Sequence, residues 1–416
     1  MNDYRNKKIG FAFLYLVFVV CLTFTVLPGW IPLLRNSWIL LALVFVVSVV
    51  LSKGYYKQNY ILAWYFYIGV VFINSIAGDV YFANWIAAAN ELFIWIVPPA
   101  ILYYAINNHQ KFSMVLLLCI AFILLFEGFS TLSMDLVYPG VVRRVVIQFV
   151  IERDYSVFYP YYRLGMASYS FTHAIAILIP PLLYVLKDKT NKNIIRVFTA
   201  LLLIMCLFLV YLSGSTTALI LGVMALILSL LSREGDMSRN RSIVFIVTII
   251  ALPFALSDTI LTDFLNFLDN IFAGTHFSSK VTDFIDLAET GNASGDIAAR
   301  ESLYLKSIEQ WTQNPLLGSN DRPGHHSAIF DRLSSLGLVG SIPLLCFLFS
   351  QIKYTINKIS NKARIYYYEG LYVGLALLFL KDSDDWETFL MLFLVMPLII
   401  YVNDSNIFKK NKYCVE

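Results

Sequence analysis

Residues 195–212 read IRVFTALLLIMCLFLVYL, an apolar run whose single charged residue, Arg196, lies close to its start. A helix needs about 20 predominantly apolar residues to cross the hydrocarbon core of a bilayer. This run therefore has the length and composition of one crossing. Runs of the same kind recur along the chain and predict twelve membrane spans, at roughly 9–27, 37–52, 60–77, 85–106, 113–133, 164–186, 195–212, 216–232, 242–258, 335–352, 366–381 and 385–402.

The composition of the whole chain agrees with this prediction. Of its 416 residues, 58% are hydrophobic and 14% charged, and the mean hydropathy is +0.68. A soluble domain has about 45–50% apolar and about 25% charged residues, so a water-soluble enzyme and a disordered chain are both excluded. The net charge of +3 does not suggest a nucleic-acid partner, and the five cysteines show no disulfide or metal-binding spacing. The fold class predicted is an all-α polytopic integral membrane protein.

The positions of Lys and Arg predict its orientation. With the N-terminus in the cytoplasm, twenty of the 31 Lys and Arg residues fall in segments on the cytoplasmic side. In the short external loops only Arg35 and Lys381 remain. Because short cytoplasmic loops carry an excess of these residues, both termini are predicted to be cytoplasmic.

Two external segments are too long to be simple connections, 134–163 and 259–334. The second segment divides the chain into three parts. These are nine spans within 1–258, which include the first segment, a large external loop at 259–334, and three spans with a cytoplasmic tail at 335–416. The large loop contains the helical sequence IAARESLYLKSIEQWTQ, which Asn314-Pro315 is expected to end. Loops of this length usually have a function, so the water-facing chemistry is expected in these two segments.

Glu91 and Glu127 are ionisable residues inside predicted spans. An ionisable group in hydrocarbon costs at least about 2.5–3.5 kcal/mol, which makes both residues functional candidates. The alternative for Glu127 is that it marks the end of the fifth span.

A spaced pattern runs through the end of the large loop. It consists of Arg300, Trp311, Asn314-Pro315-Leu316-Leu317-Gly318, His326-Ser327 and Gly337-Leu338-Val339-Gly340. Together with the twelve-span layout, this pattern resembles the O-antigen polymerase and ligase superfamily of bacterial envelope glycosyltransferases. Asp331 fits the form found in polymerases. Two looser matches are Arg163-Leu164-Gly165 through His173-Ala174, and Ser213-Gly214-Ser215-Thr216, where Thr216 replaces an Arg that many members have.

The resemblance implies a GT-C-like helical fold and a polysaccharide polymerase of the Wzy type. Such an enzyme transfers a growing glycan from undecaprenyl pyrophosphate to a sugar hydroxyl of another lipid-linked repeat unit. It works at the outer face of the bacterial inner membrane, without metal, nucleotide or other cofactor. The implied partners are the lipid-linked donor and acceptor, the lipid bilayer, and chain-length regulator and flippase proteins.

The chemistry assigns roles to the residues that match. Negative charge grows on the leaving diphosphate, and arginine binds phosphate oxygens bidentately. Arg300 and Arg163 are the first candidates for this contact, and the other arginines of the first external segment are alternatives: Arg143, Arg144 and Arg153. His326 is the candidate base for the attacking hydroxyl, because much of a histidine is neutral near pH 7. His325 and Asp331 are candidate substrate contacts.

Other interpretations stay open. The external arginines could instead pair with lipid head groups or neighbouring acids. A ligase that moves finished glycan to lipid A–core would share the donor, the topology and the motif. A transporter of lipid-linked oligosaccharide fits twelve spans equally well, although no convincing repeat relates the two halves of the chain. A structural subunit would leave the motif spacing unexplained.

Overall fold

The computed structural model describes residue 16 and residues 37–77, 82–108, 110–145, 160–161, 164–232, 295–319, 327–381 and 385–405, with a few short pieces between 266 and 285. In this part of the chain every element is helical. The helices are α1 (Ser37–Leu51), α2 (Ile61–Ala77), α3 (Phe82–Asn108), α4 (Gln110–Val137), α5 (Tyr169–Lys187), α6 (Asn193–Leu212), α7 (Thr216–Leu231), α8 (Gly295–Gln313), α9 (Ala328–Ile356), α10 (Arg364–Leu380) and α11 (Trp386–Asp404). A single helical turn, Lys53–Tyr56, follows α1.

All of these helices except α8 coincide with predicted spans. Five of them, α4, α5, α6, α9 and α11, are long and apolar enough to cross a membrane, and α1, α2, α3 and α7 contain shorter apolar stretches. The predicted spans at 9–27, apart from Leu16, and at 242–258 lie outside the described residues. The protein is therefore a helical membrane protein, and the number twelve stays a prediction.

Two helix boundaries differ from the sequence prediction. Helix α9 begins at Ala328, whereas the tenth span was predicted from 335, because the first two turns are polar yet buried, with Asp331 and Arg332 1% and 5% exposed. Helix α4 continues to Val137, ten residues beyond Glu127. Glu127 is fully buried within the bundle, and that it marks the end of the fifth span stays a prediction. The side chain of Glu91 lies outside the described residues.

Helices α5 and α11 form the centre of the bundle. In their apolar windows 83% and 89% of the residues are buried, compared with 39% to 56% in α4, α6 and α9. The outer helices expose large apolar side chains, including Phe122, Phe208 and Phe349. Exposed apolar surface on this scale suits contact with lipid, because lipid tails are as apolar as the side chains themselves.

Both central helices are irregular where prolines interrupt them. In α5 a 3₁₀ turn, Ile175–Leu178, precedes Pro180 and Pro181, and in α11 a π-helical turn, Met391–Val395, precedes Pro397. Proline removes one backbone donor and clashes with the preceding turn, so the helix adjusts locally. Such adjustments are tolerated in membranes when neighbouring helices surround the backbone, as they do here.

The helix ends separate into two faces of the bundle. At one, the basic face, Asn191 donates to Asn403 at 2.7 Å, Tyr184 to Asp404 at 2.6 Å, and Tyr401 to the carbonyl of Ile106 at 3.2 Å. The described cations here are Lys53, Lys57, Lys111, Lys187, Lys189, Lys192, Arg196, Lys353, Lys358, Lys362 and Arg364. The other, the site face, carries the beginnings of α5, α7, α9 and α11. Helices that cross a membrane in alternating directions place their ends on two faces in this way.

Helix α10 crosses the two central helices closely at Gly370, which yields the first prediction. A Cβ atom built there would meet the sulfur of Met396 and lie 3.0 Å from the carbonyl oxygen of Ile177. Gly370→Val is expected to lower the unfolding temperature of the detergent-solubilised protein, because overpacking typically costs about 1–3 kcal/mol. Gly69→Val in α2 is the control, since nothing lies within 4 Å of its Cβ position. Equal losses in both variants would contradict the packing described.

Candidate functional site

Tyr169, the first residue of α5, lies at the centre of a cluster on the site face. Its hydroxyl accepts a hydrogen bond from Nη1 of Arg143 at 3.0 Å. The guanidinium carbon of Arg143 is 5.8 Å from the ring centroid, and Nζ of Lys381 is 6.0 Å from it. Two cations from distant parts of the chain therefore meet at one phenol ring, whose π-face attracts positive charge.

His173 and Ser215 form a hydrogen-bonded pair that contacts the backbone of Tyr169. Nδ1 of His173 lies 2.7 Å from the carbonyl oxygen of Tyr169, and since a carbonyl can only accept, Nδ1 donates. In the neutral ring Nε2 is then the acceptor, and the Ser215 hydroxyl, 2.6 Å away, donates to it. Both side chains are 3% exposed, and the histidine ring lies 4.3 Å from that of Tyr169. We call Arg143, Tyr169, His173, Ser215 and Lys381 the Tyr169 cluster.

The turn between α6 and α7 makes room for Arg143. Gly214 has a φ of +61°, and its Cβ position would lie 3.2 Å from Cβ of Arg143. The Arg143 side chain thus passes directly over this glycine, two residues before Thr216. The fold thereby brings the cation Arg143 to this turn, close to the position where members of the family that the chain resembles have an Arg in place of Thr216.

Carboxylates border the cluster on the side of α11. Oε1 of Glu387 accepts from the hydroxyl of Ser168 at 3.1 Å, and Ser168 also caps the start of α5 by accepting from the amide of Phe171 at 3.0 Å. Asp385 caps α11 by accepting from the amide of Thr388 at 2.9 Å. The bond between Ser168 and Glu387 thus joins the start of α11 to the residue that caps α5.

The junction of α8 and α9 is tied to the same place. The amide of Ala328 donates to the carbonyl oxygen of Lys381 at 3.0 Å, and the hydroxyl of Tyr304 in α8 donates to the carbonyl oxygen of Leu380 at 3.0 Å. The predicted large external loop therefore ends beside Lys381. The ammonium of Lys381 lies over the ring of Tyr169, whose hydroxyl accepts from Arg143 of the first predicted external segment.

Asp331 stabilises that junction from the inside. It is 1% exposed, and it accepts from the hydroxyl of Ser307 in α8 at 2.6 Å and from the amide of Ser327 at 3.4 Å. Its carboxylate joins the two helices at the point where α9 begins. Asp331 was predicted as a substrate contact; its position in the structure is that of a buried link between helices.

Arg300 occupies a defined position on α8. It lies seven residues before Ser307 and four before Tyr304, which places it on the same face of the helix as both. Since Ser307 contacts α9 and Tyr304 contacts α10, this is the face of α8 that packs toward the Lys381 region. The side chain of Arg300 is outside the described part, so its role stays a prediction.

The remaining predicted residues divide as follows. Arg143 belongs to the Tyr169 cluster, whereas its neighbour Arg144 is exposed, in the same short helical turn at 141–145. Four predicted residues lie outside the described residues: Arg153, Arg163, His325 and His326. The described chain resumes directly after two of them, at Ser327, which caps α9, and at Leu164.

Arg332 is a buried cation that the sequence did not predict. Arg332 donates to the hydroxyl of Tyr67 at 3.1 Å, and its guanidinium carbon is 5.8 Å from the ring centroid of Trp95. It lies next to Asp331 and joins α9 to α2 and α3. The sequence did not reveal it, because hydropathy assigned Arg332 to the external loop that precedes the tenth predicted span.

The glycines of the motif have a packing role. The turn Asn314–Gly318 lies against a kink in α9 at Gly337, where the amides of Leu338 and Val339 donate to the carbonyls of Pro315 and Leu316 at 2.9 and 3.0 Å. Gly318 and Gly337 have φ angles of +74° and +59°, and a Cβ on either would lie 2.6 Å from the backbone nitrogen of the other. This part of the motif is explained by close backbone contact.

Comparisons with known proteins add no family. No protein-family model matches the chain, and none of the curated proteins searched matches it. Within the described residues, no group of three His, Cys, Asp or Glu side chains could hold a metal ion.

The contact between the two motif glycines gives the second prediction. Gly318→Ala is expected to destabilise the protein by more than Gly274→Ala. Both residues have a left-handed φ, +74° and +76°, so both substitutions pay the left-handed penalty of about 1–2 kcal/mol. Only at Gly318 would the new Cβ also meet backbone, that of Ser335 and Gly337, since nothing lies within 4 Å at Gly274. Thermal unfolding in detergent measures the difference, and equal unfolding temperatures would contradict the contact.

Proposed function

We propose that the protein is a membrane glycosyltransferase that polymerises lipid-linked repeat units. It takes a growing glycan from an undecaprenyl-pyrophosphate donor and attaches it to a sugar hydroxyl of another lipid-linked unit. In this proposal the chain has twelve spans in a GT-C-like arrangement and lies in the bacterial inner membrane. The observation that carries it is the meeting of two cations at Tyr169: Arg143 from the first predicted external segment and Lys381 from the end of α10.

The cluster suits a diphosphate leaving group. Arg143 presents a guanidinium, the form of cation that binds phosphate oxygens in pairs, and Lys381 adds a second charge over the same ring. The starts of α5, α7, α9 and α11 adjoin it, capped by Ser168, Ser215, Ser327 and Asp385. Helix N-termini carry partial positive charge, so these helices reinforce the attraction for an anion.

The reaction balances without a nucleotide or a metal. The acceptor hydroxyl oxygen forms a bond to the anomeric carbon, while the bond from that carbon to the diphosphate oxygen breaks and its electron pair leaves with the diphosphate. The hydroxyl proton passes to a base, for which we propose His326. Its position directly before Ser327, close in sequence to the contact between Ala328 and Lys381, supports this assignment. Arg300 is proposed to bind the diphosphate from α8.

The charge on the two faces supports the orientation proposed. The basic face carries eleven of the described Lys and Arg residues, and such residues concentrate on the cytoplasmic side. The site face then looks outward, where lipid-linked repeat units meet the polymerase. Chain-length regulator and flippase proteins are the further partners proposed.

Arg143 and Arg144 offer a matched pair for a third prediction. Arg143→Gln is expected to reduce the polymerisation rate by about 10²–10³-fold, the usual loss when one fixed donor to a developing negative charge is removed. Arg144→Gln removes the same charge from the same helical turn, but its side chain is exposed and outside the cluster, so near-normal activity is expected. The assay is the rate of polymer formation by purified protein. Equal effects of the two substitutions would refute the role of the cluster.

Arg300→Ala and His326→Ala form the fourth prediction. Each variant should abolish polymer while the protein remains in the membrane at its usual level, because each removes a group that acts on the reacting atoms. Immunoblots of membrane fractions provide the control for expression. Full-length polymer from both variants would show that these site residues are wrong.

Cells that lack the protein distinguish the functional classes. Loss of a polymerase leaves single repeat units on the lipid carrier, whereas loss of a ligase leaves finished polymer there. Loss of a transporter would leave lipid-linked units on the cytoplasmic leaflet. Extraction of the lipid-linked sugars and sizing of the glycans is the test, and we expect single units that have reached the outer leaflet.

A further inference from the structure

An apolar groove of about 790 Å³ runs along α4 beside the Tyr169 cluster. One wall is the α4 surface from Phe122 to Val137, and the other is the chain at Tyr161 and Leu164. The groove lies within the size range of ligand sites, about 300–1,000 Å³. Nothing in the reaction proposed above uses this groove.

The groove opens toward lipid. Phe122 and Phe129 are 59% and 58% exposed, and Leu164 is 64% exposed. From Phe122 to Val137 the helix rises about 22 Å, at about 1.5 Å per residue. One leaflet of the hydrocarbon core is about 15 Å thick, half of the full core. A chain that fills the groove from end to end must therefore be longer than one leaflet is thick.

One end of the groove adjoins the Tyr169 cluster through a shared small core. Gly165 has a φ of +85°, and its Cβ position would lie 2.6 Å from Cε1 of Phe126, so the backbone at 164–165 rests directly on the groove wall. Tyr161 and Met134, both groove residues, pack with Tyr169 on the small core formed by Val141, Val142, Val145 and Met166. Arg143 belongs to that same short helical turn.

We infer that this groove binds the polyisoprenyl chain of the lipid-linked substrate, with the diphosphate held at Arg143. The inference rests on the proposed function for the identity of the head group. The site requires a lipid whose anionic head reaches Arg143 while its chain follows α4 inward. A bilayer phospholipid seated in this way would occupy the cations that the leaving diphosphate needs. The groove thus fixes the depth and direction from which the donor presents its reacting bond.

Photocrosslinking tests the occupant directly. The photoreactive residue p-benzoylphenylalanine replaces Phe129 in the groove, or Phe208 on α6 as the control, since Phe208 is also exposed to lipid, at 48%, but lies outside the groove. The protein is placed in phosphatidylcholine nanodiscs containing undecaprenyl pyrophosphate and irradiated. Mass spectrometry should find the polyprenyl adduct at position 129 and phosphatidylcholine adducts alone at position 208.

The crosslinking and polymer assays together decide the inference. Phosphatidylcholine adducts alone at position 129, or equal polyprenyl adducts at both positions, overturn it. Polymer formation by a protein that gives no polyprenyl adduct at 129 would leave the proposed function intact and reject the groove. An adduct at 129 in a protein that makes no polymer from any repeat unit would keep the groove and reject the polymerase.

A substitution that fills the groove gives the fifth prediction. Ser133→Trp should raise the KM for the lipid-linked donor by about tenfold and leave the rate with a short-chain donor unchanged, because only the long chain needs the groove. Ser350→Trp is the control. Each serine donates to the carbonyl four residues earlier in a membrane helix, Phe129 at 2.8 Å and Cys346 at 2.7 Å, but Ser350 lies outside the groove. Equal KM values for both variants would contradict a role in chain binding.

Discussion

The ring of Tyr169 contacts both Arg143 and Lys381, and the arrangement of the site face depends on this contact. Arg143 comes from the first long external segment, while Lys381 ends α10 and accepts a hydrogen bond from the start of α9. Segments separated by more than 200 residues in the sequence are thereby held at one place. The ring attracts both cations, which partly offsets the repulsion between two like charges held near one point.

The rest of the bundle supports this contact. The irregular turns of α5 and α11 lie in the buried centre. The first turns of these helices, capped by Ser168 and Asp385, place Tyr169 and Glu387 at the site face. The network at the basic face joins the opposite ends of the same two helices, through Asn191 and Asn403. Hydrogen bonds therefore fix both ends of α5, and with them the position of Tyr169 at its start.

Much of the fold could be predicted from the sequence, since apolar runs of about 20 residues have few alternatives to a membrane helix. Of the Tyr169 cluster, only Arg143 lies in one of the two segments where the chemistry was expected. The cluster as a whole could not be predicted. The bond between His173 and Ser215 joins residues 42 apart, and nothing local in the sequence announces it. The sequence does not distinguish Arg143 from Arg144. Only the packing of their helical turn shows that Arg143 contacts Tyr169 while Arg144 is exposed.

Asp331 and Arg332 illustrate the same limit. Because these residues are charged, hydropathy assigned them to a loop exposed to water. Both are buried in the first turns of α9. Burial of such groups depends on partners from other helices, Ser307 for Asp331 and Tyr67 for Arg332. Those partners could be identified only when the helices were assembled.

The most direct test of the central claim is to incubate the purified protein with a lipid-pyrophosphate repeat unit and a chelator, in the absence of nucleotide. The glycan products are separated on a gel, and the released undecaprenyl pyrophosphate is measured. The account predicts a ladder of products, with one released carrier for each linkage formed. The absence of a ladder over a range of repeat units, or a ladder that requires metal or nucleotide, would contradict it.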